Sequence, residues 1–323
     1  MKNTSKTKRL LTVAERKSFA FRFKTFFSRY WMLHLMVLPG LVYFLVFKYA
    51  PMYGLSIAFK NYRGAAGGIK AIFDAEWVGL LHFKNFFKST QFTRLLRNTV
   101  TMSLLRLVFC FPAPIILAIL LNEVRIRSFK KTVQTITYMP YFLSWVVVSG
   151  LLQILLGSEG PFNAVLAFFG CQPISLLTST KYFRTLLIVS ELWKSVGYGT
   201  IVYLAAISGV DMQLYEAAEL DGANKFRQIL HVTLPTISEI IAIMLILQVG
   251  RLLSDNFEQI YTLYSPAVYE VADVFDTYIY RAGIVDSNFS YTTAVTLFKS
   301  VVSLILILLT NKASKKLGSS GLF

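Results

Sequence analysis

The sequence predicts an all-α polytopic membrane protein with six transmembrane helices. Hydrophobic residues make up 55% of the 323-residue chain and charged residues 15%, and the mean hydropathy is +0.55. That is far from a soluble profile. The charges leave six apolar windows, each close to the ~20 residues a helix needs to cross about 30 Å of hydrocarbon. A strand barrel would show ~10-residue alternating segments instead, so helices are expected.

The first 30 residues carry nine Lys/Arg against the single Glu15, which fits a cytoplasmic tail with no cleavable signal peptide. Within it Phe19, Phe23, Phe26, Phe27 and Tyr30 recur at helical spacing with basic residues interleaved, the pattern of an interfacial helix meeting membrane lipid. Residues 1–30 therefore form the tail, and 31–323 form the transmembrane domain. The windows fall at 30–48, 99–121, 136–156, 183–208, 236–253 and 290–311. Pro112 and Pro114 predict a kink in the second. Segment 51–62 reads as amphipathic and surface-lying.

Six spans return both termini to the cytoplasm. Arg125, Arg127, Lys130 and Lys131 suit a cytoplasmic second-to-third connection. The fifth-to-sixth connection, with Asp255, Glu258, Glu270, Asp273, Asp276 and Asp286 against Arg281 alone, suits the outside. Residues 48–97 conflict with this scheme, since they carry eight Lys/Arg yet fall outside by parity. The net charge of +16 belongs with lipid headgroups in such a chain, and nucleic acid is not expected. Cys110 and Cys171 read as small residues without redox chemistry.

A polar stretch at 209–235 separates the fourth and fifth spans. Asp211 can cap a helix from Met212 to Leu220 that carries Glu216, Ala217 and Ala218. Asp221 leads to Gly222, which permits a sharp reversal, and Ala223 comes next. Asn224 can cap a second helix on which Phe226, Ile229, Leu230 and Thr233 share a face, with Val232 and Leu234 before the stop at Pro235.

The spacing of Glu216-Ala217-Ala218, three residues, Gly222, nine residues, Val232, one residue, Leu234-Pro235 closely resembles the coupling motif of permease subunits in binding-protein-dependent ABC importers. Isoleucine is usual where Val232 stands. The resemblance covers nearly the whole chain, through the segments 51–62 (PMYGLSIAFKNY), 203–207 (YLAAI), 268–273 (VYEVAD) and 318–323 (GSSGLF), and points to importers of oligosaccharides and polysaccharides. It implies the ABC importer permease fold in the cytoplasmic membrane, a second related permease subunit and an external solute-binding protein. It also implies two ATPase subunits, which hold ATP and Mg, with Glu216 meeting a basic ATPase residue. No cofactor is expected on this chain, which has no Gly-x-x-x-x-Gly-Lys-Ser/Thr loop and no catalytic cluster, so it is not expected to be an enzyme.

Arg106, Lys194, Arg251 and Lys299 fall within spans, where a charge costs at least ~2.5–3.5 kcal/mol and usually faces a bundle interior or water. Glu191 stands three residues from Lys194 and offers it a partner. The other three have no partner visible in the sequence. They allow a positively biased cavity for an anionic carbohydrate of the uronate or alginate type, with neutral oligosaccharides, snorkelling and inter-subunit pairing as alternatives. Trp193 and Tyr198 are candidates to stack on sugar faces, or else ordinary bundle aromatics. An ion-gradient-driven secondary transporter is the competing function. It calls for a carboxylate relay or paired broken helices, and Glu191 alone does not supply one.

Overall fold

The computed structural model describes residues 30–62, 64, 68–254 and 257–316. The expected tail helix, Asp255 and segment 318–323 lie outside these. The chain divides into two compact units, 1–56 and 57–323. In the first, helix α1 (Trp31–Phe44) runs on through a π-turn, Leu45–Tyr49, into a 3-10 stretch, Ala50–Phe59. The surface segment expected after residue 48 is thus a continuation of one 29-residue apolar run, Trp31–Phe59.

In the second unit, Ser89 caps α2 (Thr90–Leu105) by accepting from Phe92 N at 3.3 Å. A π-turn, Arg106–Cys110, joins α2 to α3 (Pro112–Glu123). Then come α4 (Arg127–Tyr138), α5 (Trp145–Leu156), α6 (Phe183–Ser208), α7 (Met212–Leu220), α8 (Lys225–Gln228), α9 (Ser238–Gly250), α10 (Tyr269–Ala272) and α11 (Phe289–Lys316).

Three π-turns share one cause. Those at Leu45–Tyr49, Arg106–Cys110 and Ile229–Thr233 each end two residues before a proline: Pro51, Pro112 and Pro235. The residue just before each proline donates to the carbonyl five back: Ala50 to Leu45, Phe111 to Arg106 and Leu234 to Ile229. Proline lacks an N–H and its ring crowds the carbonyl four back, so one wide turn re-aims the carbonyls ahead of it. The kink expected at Pro112 takes this form.

Helix α6 lies at the centre of the unit, and two glycines set its crossings. A Cβ on Gly199 would lie 2.9 Å from the Pro114 ring, and one on Gly197 would lie 2.1 Å from the Thr137 carbonyl oxygen on α4. Small residues let helices approach this closely, as membrane bundles require. The hydroxyls of Ser190, Ser195, Thr200 and Ser208 each donate to the carbonyl four residues back, which satisfies them within the helix. Around α6, Met102, Phe183 and Leu187 pack with Ile260, Val268 and Val274. A second core joins Phe86, Leu95 and Phe275 to Phe92, Tyr291 and Phe298.

A polar clasp engages Arg94 and Arg97, two of the eight basic residues of the segment that conflicted with the charge rule. Asp273, wholly buried, accepts from Arg281 at 2.6 and 3.2 Å, from Arg94 at 3.3 Å and from Thr277 at 2.8 Å. Asn98 donates to the carbonyls of Glu270 and Asp273, while Arg184 donates to Val271 O and Asn98 Oδ1. Arg97 lies 4.0 Å from Glu270. The start of α2 and the acidic connection thus occupy the same end of the bundle, where their charges answer each other. Burial opposes the charge of Arg281, but its hydrogen bonds to Asp273 and that carboxylate's charge win, so its pKa stays above the ordinary arginine value.

Six spans do not appear as six equivalent helices. Among the described residues four helical runs are long and apolar enough to cross a membrane: Trp31–Phe59, Thr90–Glu123, Trp145–Phe168 and Phe289–Lys316. A fifth is the pair Lys225–Thr236 and Ser238–Gly250, bent by 64°. Helix α6 has the length, at 26 residues, but Glu191, Lys194 and a polar middle dilute its apolarity. The third expected window, 136–156, is broken between α4 and α5, where Pro140 sits in a 3-10 turn.

Candidate functional site

Local chemistry builds the 209–235 hairpin. Asp211 Oδ1 accepts from Gln213 N at 3.0 Å, capping α7, and Asn224 Oδ1 accepts from Arg227 N at 2.9 Å, capping α8. Between them Gly222 has φ +78, the left-handed region that a Cβ disfavours. Ala223 N reaches back to Ala218 O and Gly222 N to Glu219 O, closing the end of α7. Asp221 is the C-cap residue of that helix.

The hairpin presents an exposed face. Glu216, Ala217, Glu219 and Leu220 are exposed, while Tyr215 and Ala218 turn partly inward. Leu220 is 90% exposed, more than any other large hydrophobic residue of α7. Tyr215 OH lies 2.9 Å from Thr233 Oγ1 and ties the two arms together. The residues expected to share a face on the second helix differ in burial, with Ile229 half-buried. Phe226 and Leu230 are exposed, whereas Gln228 and Thr233 are buried. The π-turn at Ile229–Thr233 adds a residue to the turn and rotates the residues beyond it. Val232 and Leu234 are half-buried, and Pro235 is exposed just before the 64° bend.

Three of the four intramembrane cations have a partner that the sequence did not reveal. Lys194 donates to Tyr141 O at 2.8 Å and sits over the rings of Tyr141 and Trp145, not beside Glu191 as its spacing suggested. Lys299 pairs with Asp276. Arg106, buried, donates to Gln259 Oε1 at 2.9 Å, and Gln259 is held in turn by Leu187 O and Ser190 Oγ. Only Arg251, at the C-cap of α9, is exposed.

Arg106 and Arg251 meet at a polar cavity of about 150 Å³, with Glu191 on its wall and Ser103, Gln248 and Ser254 beside them. Cys110 also borders it. Lys194 and Lys299 do not line this cavity, so the four cations do not form one positive surface. Of the two aromatic candidates, Trp193 is half-exposed and Tyr198 stacks face to face on Tyr141 at 3.8 Å. Sequence reasoning missed Asp273, Asn98, Arg184 and Gln259. The one available signal was the excess of acidic residues around Asp273.

Residues 96–318 match the family model described as binding-protein-dependent transport system inner membrane component. The polygalacturonan/rhamnogalacturonan transport system permease protein YteP of Bacillus subtilis (strain 168) is 48% identical over 292 residues, covering 90% of each chain. A chain of a bacterial ABC transporter involved in import of the acidic polysaccharide alginate superposes with a TM-score of 0.85 at 40% identity, over 91% of this chain and 99% of that one. A bacterial alginate ABC transporter, in complex with an alginate pentasaccharide-bound periplasmic protein, gives 0.86 at 40% identity, over 93% of this chain and 100% of that chain. With a polytopic bundle and a capped hairpin between α6 and α9, the chain belongs to the family of binding-protein-dependent inner membrane transport components, the ABC importer permeases.

Proposed function

We propose that this chain is one permease subunit of an ATP-driven importer whose cargo is an acidic, uronate-bearing oligosaccharide. The cargo class rests on relatives whose own substrates, polygalacturonan and alginate, are acidic. The observation that carries the drive mechanism is the exposed face of α7, capped at Asp211 and turned at Gly222. In this reading Glu216 meets a basic ATPase residue and Ala217 lets the two surfaces approach. Asp221, Gly222 and Ala223 hold the turn. Val232, Leu234 and Pro235 join the hairpin to α9, so that a push on α7 reaches the bundle. ATP and Mg reside on two partner ATPases, and a second related permease completes the pathway. A solute-binding protein delivers cargo at the outer face, and both termini of this chain lie in the cytoplasm. Such a protein alternates between two states, biased by ATP at one end and loaded binding protein at the other.

The test is purification of the tagged chain with its membrane partners. A stoichiometric ATPase is expected, with hydrolysis stimulated by binding protein loaded with oligogalacturonate or oligoalginate. A chain that transports alone in proteoliposomes, driven by an ion gradient, would overturn the proposal. Stimulation by neutral oligosaccharides alone would overturn the cargo class.

A further inference from the structure

A polar cavity lies among α2, α6 and α9. Among the described residues its wall holds the guanidinium groups of Arg106 and Arg251 and the carboxyl group of Glu191. The two arginines differ in freedom. Arg106 is buried and held by Gln259, which is anchored to α6 by two further hydrogen bonds. Arg251 is exposed, and among the described residues its side chain makes no hydrogen bond or ion pair. It comes directly after Gly250 at the end of α9, whose other end receives the 209–235 hairpin through the 64° bend.

We infer that Arg251 is a specificity-determining residue that takes the carboxylate of one uronate unit at a time. Gln248 and Ser254 offer hydrogen bonds to the hydroxyls beside it. A cavity of about 150 Å³ has room for a carboxylate with its waters, not for an oligosaccharide, so a passing chain meets it one acidic group at a time. Arginine suits this task because its fork matches a carboxylate at two points and stays charged at every relevant pH. Arg106 is held in place by Gln259, and Arg251 is the group that makes and breaks contact. This inference rests on the acidic cargo proposed above and goes further in assigning the charge selection to this chain, in addition to any made by the binding protein.

The experiment uses the assembled complex in proteoliposomes with its binding protein, and compares oligogalacturonate with its methyl ester. Both are presented to wild type, Arg251→Gln and Arg251→Lys. Loss of one charge-assisted contact predicts that Arg251→Gln lowers uptake of the acid roughly tenfold to a hundredfold relative to the ester. Arg251→Lys, which keeps the charge, recovers most of that ratio. Because the same binding protein serves all arms, its own preference cancels. An unchanged acid-to-ester ratio in Arg251→Gln overturns the assignment, as does an equal fall for both cargoes in both variants. A wild-type complex that responds to no carbohydrate overturns the proposed function itself, a different and separately visible failure.

Discussion

Gly197 offers a test in which one methyl group separates two outcomes. Its Cβ would stand 2.1 Å from Thr137 O, 2.3 Å from Thr137 C and 2.9 Å from Tyr138 N, all backbone atoms of α4 or its end. No side chain can swing away to make room. An ordinary contact begins near 3.4 Å, so α4 and α6 would have to part by about 1.3 Å. Overpacking of this kind costs about 1–3 kcal/mol, and a backbone-to-backbone clash belongs at the upper end, about 3 kcal/mol. At roughly 2–4 °C per kcal/mol, Gly197→Ala should lower Tm by about 6–12 °C. The control is Gly150 on α5, which has nothing within 4 Å of its Cβ position. There Gly150→Ala should gain about 0.5–1 kcal/mol of helix preference and raise Tm slightly. The assay is thermal unfolding of both purified variants in one detergent. If Gly197→Ala melts within about 2 °C of wild type, or Gly150→Ala falls as far, the close crossing is not what holds these helices.

Other consequences are open to direct measurement. Glu216→Ala should sharply lower binding-protein-stimulated ATP hydrolysis while leaving Tm within about 1 °C, because the side chain is exposed and forms no ion pair among the described residues. Gly222→Ala should cost about 1–2 kcal/mol from its φ of +78 alone, since no neighbour lies within 4 Å. Hydrogen exchange at the amides of Gly222 and Ala223 should speed up accordingly. Asp273→Asn should destabilise by about 2–3 kcal/mol, read in chemical or thermal unfolding, because two arginines would lose their shared carboxylate. Burial pushes Tyr264 up to about 12, with Tyr269 adding to it. The folded chain therefore keeps that proton after the unfolded chain loses it near the ordinary value of about 10. Its contribution to stability is full below about pH 10 and is lost between about pH 10 and 12, and Tyr264→Phe should flatten that part of the pH profile.

The sequence made legible whatever a few consecutive residues decide for themselves. Asp211 and Asn224 as caps and Gly222 as a left-handed turn were readable because each acts on atoms within three positions along the chain. Prolines signalled a disturbance, but not that Pro51, Pro112 and Pro235 would each be met by a π-turn. The burial of Gln228 and Thr233 beside the exposed Phe226 and Leu230 was not readable either. Partners distant in sequence were the least readable. Lys194 finds Tyr141, 53 positions away, and Arg94 finds Asp273, 179 positions away. Periodicity carries no record of such pairings. The basic residues up to the start of α2 and the acid after α9 were visible separately, and only the packing shows that Arg94 and Arg97 meet Asp273 and Glu270.

Leu220 is 90% exposed at the tip of α7, with Met212 at 66% at its other end and Phe226 at 68% just beyond the turn. A newly made copy that meets no partner keeps these apolar side chains in water, within reach of chaperones and membrane proteases that survey for such surface. On the proposed function, a partner docked on this tip would withdraw that apolar surface from water.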